Sequence, residues 1–253
     1  MTDRIAHGGK TLYGARLGIL TLDTVIPSMP GCGRNALTWP FPVLFGVVPG
    51  ATVKRAVQGR GKGLLDAFLV TADMLIAQGA DGIATSGGFC SLFQADLSAH
   101  CKVPVATSPL MQIPWVQSLL PPGKRVGVIT VHGATLDGEH LEAASAPADT
   151  PVIGTEGRRE ISRVLLNGEP KMDVAAAELD MLDAGQELVS RYPEVGAVVL
   201  ECFNFAPYAA ALRDSLGMPV YSVYSFLTWF HAGLAPRDFG HPGSAPRDYR
   251  ERF

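Results

Sequence analysis

The sequence has little of several things, and each shortage removes a class of function. Charged residues make up 18% of its 253 residues, the formal net charge is −3, and no basic stripe or run of like charge occurs. Nucleic acid and anionic membrane both call for such a stripe, so neither is an expected partner. No stretch approaches the roughly 18 uninterrupted apolar residues that span a bilayer. The start, "MTDRIAHGGK", carries no apolar run behind its charges. It does not read as a secretory leader, and a cytoplasmic protein is expected. Cysteines are few, at 32, 90, 101 and 202, and none has metal-knuckle spacing. Reduced thiols rather than disulfides follow from that setting. The six histidines form no HExxH pattern, so no metal is expected. The lysines form no recognisable pyridoxal-phosphate motif. "GRGKG" (59–63) lacks phosphate-loop spacing and reads as a helix entry. No cofactor is expected.

What is present is an alternation. Hydrophobic residues reach 47%, and short apolar runs alternate with amphipathic segments of helical length, the pattern of an α/β protein. Strands are predicted at 16–22, 81–85, 103–108, 125–131, 197–201 and 218–223. Helices are predicted near 62–78, 90–100, 110–119, 157–166, 172–191, 206–216 and 224–233. Segment 24–60, rich in proline and glycine, reads as a long loop that is functional or wraps a neighbour. The polar end, 235–253, reads as a surface tail, and a homo-oligomer is left open.

The pattern also repeats. "RLGILTLD" (16–23) matches "RVGVITVH" (125–132), setting Gly18 against Gly127. "DGIATSGGF" aligns with "VGAVVLECFNF", Gly82 opposite Gly196, and "VPVATS" with "MPVYSV", Pro104 opposite Pro219. The expected architecture is two pseudosymmetric, doubly wound lobes with parallel sheets and a cleft between them. The first lobe covers 1–120 and the second 121–223, with 224–253 packing back on the first. Ligands of such sheets bind beyond the carboxyl ends of the strands.

The repeat also places the chemistry. Cys202 falls opposite Gly87, both at the turn from strand to helix that faces the cleft. Backbone N–H groups there favour a thiolate, so Cys202 is the candidate catalytic residue. Gly87 leaves the mirror position without a side chain. Cys90, one helical turn further on, is a second catalytic candidate. Against it stands the plainer reading of a small buried helix residue.

At these residues the chain resembles the aspartate/glutamate racemase family, across "GILTLDT", "PGCGRN", "DGIATSGGF", "VPVATSPL", "RVGVITV", "VVLECFN" and "PYAAAL". The resemblance implies cofactor-independent chemistry at the α-carbon of a small carboxylate, with one cysteine from each lobe acting on opposite faces. Cys202 matches the second of these, and Gly87 stands where the first should be. Asn35, Thr85, Ser86, Gly87, Gly88, Thr130, His132, Phe203 and Asn204 are the candidate substrate-binding residues. Among them Gly88, Phe203 and the hydroxyls would stabilise an enediolate. Phe203 and Phe205 suggest a pocket open to apolar substituents. Racemase or isomerase activity is the family default. A lyase like arylmalonate decarboxylase, which uses one cysteine, is the alternative that Gly87 favours. A protein that binds small acids without turnover is a third reading.

Overall fold

The computed structural model describes residues 8–237. Sequence readings that fall on 1–7 and 238–253, including most of the polar tail, lie outside the described residues.

Two four-stranded parallel sheets with flanking helices make up the molecule, an α/β fold of two lobes. The first sheet holds β1 (Leu17–Leu22), β2 (Val43–Val48), β3 (Gly82–Thr85) and β4 (Val105–Ala106) in the order β2-β1-β3-β4. The second repeats that order with β5 (Arg125–Thr130), β6 (Val152–Gly154), β7 (Val195–Leu200) and β8 (Val220–Tyr221), as β6-β5-β7-β8. β1 and β3 are buried at every position, and β5 and β7 at nearly every one. That is why they read as unbroken apolar runs, the habit of parallel strands covered on both faces.

Registers show how closely the halves correspond. Gly18 pairs with Ile83 in the first sheet, and Gly127 with Val198 in the second. Matching Gly18 to Gly127 therefore matches Ile83 to Val198, and four residues later Gly87 to Cys202. Individual hydrogen bonds repeat as well. Ser86 N–H donates to Leu20 O at 2.7 Å, as Glu201 N–H does to Ile129 O at 3.0 Å. Cys90 N–H donates to Gly87 O at 2.9 Å, as Phe205 N–H does to Cys202 O at 3.0 Å. One sequence pairing changes: the residue equivalent to Gly82 is Ala197, not Gly196. A register irregularity between Arg125 and Val126 absorbs the extra residue in the second lobe.

Segment 24–60 is not a continuous loop, as its sequence suggested. It contains β2 and the short helix α1 (Val53–Val57), started by Thr52, whose side chain accepts from Arg55 N–H. β2 lies at the sheet edge, where the prolines on either side cost no ladder bonds, and their density hid the strand. Edge strand β6 is three residues long, too short to show a period. Later helices are α2 (Leu65–Gln78), α3 (Gln94–His100), α4 (Ile113–Leu119), α5 (Gly138–Ala143), α6 (Ile161–Asn167), α7 (Val174–Arg191), α8 (Ala209–Leu216) and α9 (Val223–Leu234). α5 was not foreseen, and α3, α4 and α8 each follow a tight 3-10 turn where the sequence suggested continuous helix. The segment 59–63 is turn rather than helix.

Local chemistry explains the longer helices. Asp173 caps α7 by accepting from Ala175 and Ala176 N–H, and Ala177, Met181, Ala184 and Leu188 form its buried stripe. α8 stops at Gly217, whose φ of 65° is left-handed and open to glycine without strain. α9 crosses from the second lobe to the first sheet. There Phe230 and Leu234 press on Gly82 so closely that no Cβ would fit.

Candidate active site

The carboxyl ends of the two sheets face each other, and a cavity of about 40 Å³ lies between them. That is room for a few waters at most, so a bound carboxylate would require the walls to part. The turn after β3, the turn after β7 and the segment between β1 and β2 form most of the walls, with residues of α1, α6 and the position just after β5 completing them. From the first turn come Ser86, Gly87, Gly88 and Phe89, and from the second Glu201, Cys202 and Asn204. Apolar side chains such as Leu22, Ile26, Val57 and Leu165 close the sides.

Cys202 borders the cavity and is half-buried. Burial first, and then the negative charge of neighbouring Glu201, push its thiol well above the usual range. The backbone and side-chain N–H groups of Asn204 pull the other way. The Asn204 side chain donates to the sulfur at 3.9 Å. The resting group is therefore a thiol, a proton source rather than a ready base.

Glu201 is almost completely buried, at 1% exposure. Thr130 Oγ1 donates to its Oε2 at 2.8 Å, and the backbone N–H groups of Phe89 and Val131 also donate to it. Burial outweighs these bonds and raises the carboxyl to about 7. Phe89 belongs to the first lobe, so this carboxylate ties the two turns together. A Cβ on Gly88 would overlap both the Glu201 carboxylate and its carbonyl oxygen, so only glycine permits this approach.

Gly87 presents bare backbone opposite Cys202. Its φ of −143° is ordinary extended chain, so glycine is not required there by conformation. A Cβ added at Gly87 would lie 3.3 Å from Cys90 Sγ. The Cys90 sulfur thus lies beside the vacant position, and Cys90 is not among the residues that line the cavity. At 2% exposure its thiol is pushed up to about 12 by burial, with Thr85 opposing and Glu201 adding to the rise.

Of the other sequence candidates, Ser86 lines the cavity, accepting from Leu22 N–H at 3.1 Å and keeping its own proton to donate. Asn35, Thr85, Thr130, His132 and Phe203 do not line it. Thr85 spends its hydroxyl on Thr107 O at 2.6 Å. Thr130 braces Glu201 rather than facing a ligand. Asn35 caps the turn at 36–38 and donates to Ser28 O at 2.7 Å. The ring of His132 bonds Thr135 Oγ1 at 3.0 Å. Phe203 packs with Leu17, Ile19 and Trp39, and Phe205 is also core, so neither widens the pocket. Two ionisable wall residues escaped sequence reasoning. Glu201 sits next to Cys202 in "LECFN", and Arg34 next to Asn35 in "PGCGRN".

Comparison with known proteins follows from this geometry. No protein-family profile matches the chain. Among solved structures, a glycine-to-cysteine mutant of arylmalonate decarboxylase in a sulfate-associated form superposes with a TM-score of 0.59. It is 16% identical, over 90% of this chain and 97% of that one. A glutamate racemase from Bacillus anthracis gives 0.58 at 14% identity over 87% and 83% of the two chains. Allantoin racemase from Pseudomonas fluorescens gives 0.58 at 15% identity over 86% and 90%. The chain therefore shares its fold with these decarboxylase and racemase structures. Curated relatives with similar sequences carry another name. A dimethylsulfoniopropionate lyase from Durusdinium sp. clade D is 21% identical over 87% of this chain and 75% of its own length. Dimethylsulfoniopropionate lyase 5 from Emiliania huxleyi is 26% identical over 85% of this chain, which spans only 45% of that protein. Among the described residues no helix is long and apolar enough to cross a membrane, and no cluster of three or more metal-ligating side chains occurs.

Proposed function

We propose that this chain is a cofactor-independent lyase that transfers a proton at one face of the carbon next to a carboxylate, with Cys202 as the transferring group. One observation carries the reading: the cavity has a single sulfur in its wall, and glycine stands at the equivalent position of the other turn. Racemisation needs an acid or base on each face. Of the nearby thiols, Cys90 is outside the cavity lining and held protonated by burial. Cys32 is turned to Asn204 O on the Cys202 side, its thiol also raised by burial.

A half-buried, protonated thiol suits decarboxylation of a malonate-like acid. The bond between the α-carbon and one carboxylate breaks, and carbon dioxide leaves. The electron pair spreads into the remaining carboxylate as an enediolate, and the Cys202 proton then moves to the α-carbon. Solvent re-protonates the sulfur. Gly87 gives the departing group space, and Ser86 with the exposed backbone of the turns supplies donors to the enediolate. This follows the arylmalonate decarboxylase among the structural neighbours.

The curated relatives support a second lyase reading, β-elimination from a sulfonium acid. Here the Cys202 thiolate removes the α-hydrogen and the pair forms a carbon–carbon double bond. Dimethyl sulfide leaves with the electrons of its carbon–sulfur bond and needs no acid. One sulfur again suffices, but it must first lose its proton.

Incubation with phenylmalonate and with dimethylsulfoniopropionate in deuterated water separates these cases. Carbon dioxide release with one deuterium in the product supports decarboxylation, and dimethyl sulfide release supports elimination. Interconversion of the enantiomers of 2-phenylpropionate, incubated alongside, would overturn the lyase reading. Binding without turnover of any kind would favour a small-acid binding protein instead.

A further inference from the structure

Arg34 stands in the segment between β1 and β2, and its side chain forms part of the cavity wall. Nη1 donates to the Thr24 carbonyl at 3.0 Å and Nη2 donates to the Ile26 carbonyl. Nε is sealed from solvent and has no acceptor. These carbonyls satisfy two donors but supply no counter-charge. Among the described residues, the ionisable group that acts on the guanidinium is the Cys32 thiol, not a carboxylate. A partly buried cation left in this state is costly, and proteins normally set an anion against it.

The arginine is also held in place. Gly33 N–H donates to Phe203 O at 3.0 Å, and the Cys32 thiol to Asn204 O at 3.9 Å. A Cβ on Gly33 would overlap the Phe203 ring. The segment that carries Arg34 is therefore seated on the very turn that carries Cys202. A planar guanidinium fixed by two carbonyls is pre-organised to offer its remaining N–H groups to an oxygen once the cavity walls part. The rest of that wall is largely apolar, with Leu22, Ile26, Val53 and Val57 close by in the lining.

We infer that Arg34 anchors a carboxylate group of the ligand, the one that stays on the substrate, while the apolar walls take its side group. The inference rests on the reading of this cavity as the active site, and it names the ligand class: a carboxylate bearing an apolar substituent.

Calorimetric binding of phenylacetate and of its uncharged amide, phenylacetamide, to the full chain tests it. Wild type should bind the acid about tenfold or more tightly than the amide, the scale of a charge-assisted hydrogen bond. Arg34→Gln should lose that preference with its affinity for the amide unchanged. Arg34→Lys keeps the charge without the fork, so it should retain part of the preference, and it serves if the glutamine variant does not fold. Preference surviving in Arg34→Gln, or wild type binding the acid no better than the amide, overturns the anchor. Cys202→Ala keeps the two ideas apart. It should preserve the preference while turnover disappears, and preserved preference with intact turnover would overturn the active-site reading alone.

Discussion

The turns 85–90 and 200–205 leave equivalent strands and make the same backbone hydrogen bonds, yet they bring different chemistry to the cavity. Position by position, Ser86 stands against Glu201, Gly87 against Cys202, Gly88 against Phe203 and Phe89 against Asn204. The first turn has been reduced to backbone and one hydroxyl. The second supplies the acid, the thiol and the amide that touches the thiol. The two stations share a backbone shape, and in this chain one holds a carboxyl and a thiol while the other holds glycine and one hydroxyl. The spare space is useful only if the reaction needs a proton on one side.

The comparison breaks most sharply at Cys202. Replacement by alanine should lower turnover by about a hundredfold to ten-thousandfold, the usual contribution of a positioned acid or base. Activity within a few-fold of wild type would mean that the second turn is not the reactive one. Cys90→Ala, in contrast, should leave kcat nearly unchanged.

Gly88 comes next. Gly88→Ala forces a methyl group into the Glu201 carboxylate, and a melting curve should show a loss of about 1–3 kcal/mol, the range for overpacking. Gly87→Ala, one residue earlier, meets only Cys90 Sγ at 3.3 Å and side-chain carbons of Leu22 from 3.6 Å outward. Its cost should be clearly smaller. Equal costs would contradict the close approach of the two turns at Gly88.

Glu201 gives an effect that depends on pH. Its carboxyl is raised in the folded chain from an ordinary 4.5 to about 7, so the folded state holds this proton more tightly than the unfolded state. The resulting stabilisation is complete below about pH 4.5 and is lost as pH rises through about 7. Glu201→Gln removes that dependence, so thermal melts from pH 5 to 8 should fall less steeply in the variant. Without the charge beside it, the Cys202 thiol should also titrate lower, as seen by the pH dependence of alkylation.

The smallest expected effect is the most informative about the first turn. Gly87→Cys combined with Cys90→Ala puts a sulfur at the vacant station and removes the one that crowds it. The double variant should fold about as well as wild type and gain slow α-hydrogen exchange on the second face. No gain would show that Gly87 is not equivalent to Cys202 in reach.

How much of this was legible in the sequence depended on burial. β1, β3, β5 and β7 are covered on both faces, so their apolar runs stood out and the duplication could be read from them. β2 and β6 are edge strands, one flanked by prolines and one three residues long, and neither leaves a period to detect. In the site, Gly87, Gly88, Cys202, Asn204 and Ser86 could be placed because repeat and motif coincide there. Thr130 and Phe203 were given ligand contacts that their neighbours in space take instead. Glu201 lay in plain view, but a glutamate at a strand end reads as solvated until its three donors are known. Arg34 was hidden by a segment with no periodicity, where only the fold shows which side chain faces the cavity.

The most direct test of one-sided proton transfer is hydrogen exchange on separated mirror-image 2-phenylpropionates in deuterated water. With a single sulfur on one face of the α-carbon, as proposed, wild type should label one enantiomer and leave its configuration intact. Labelling of both at similar rates, with interconversion, would show a second acid at work and contradict the account.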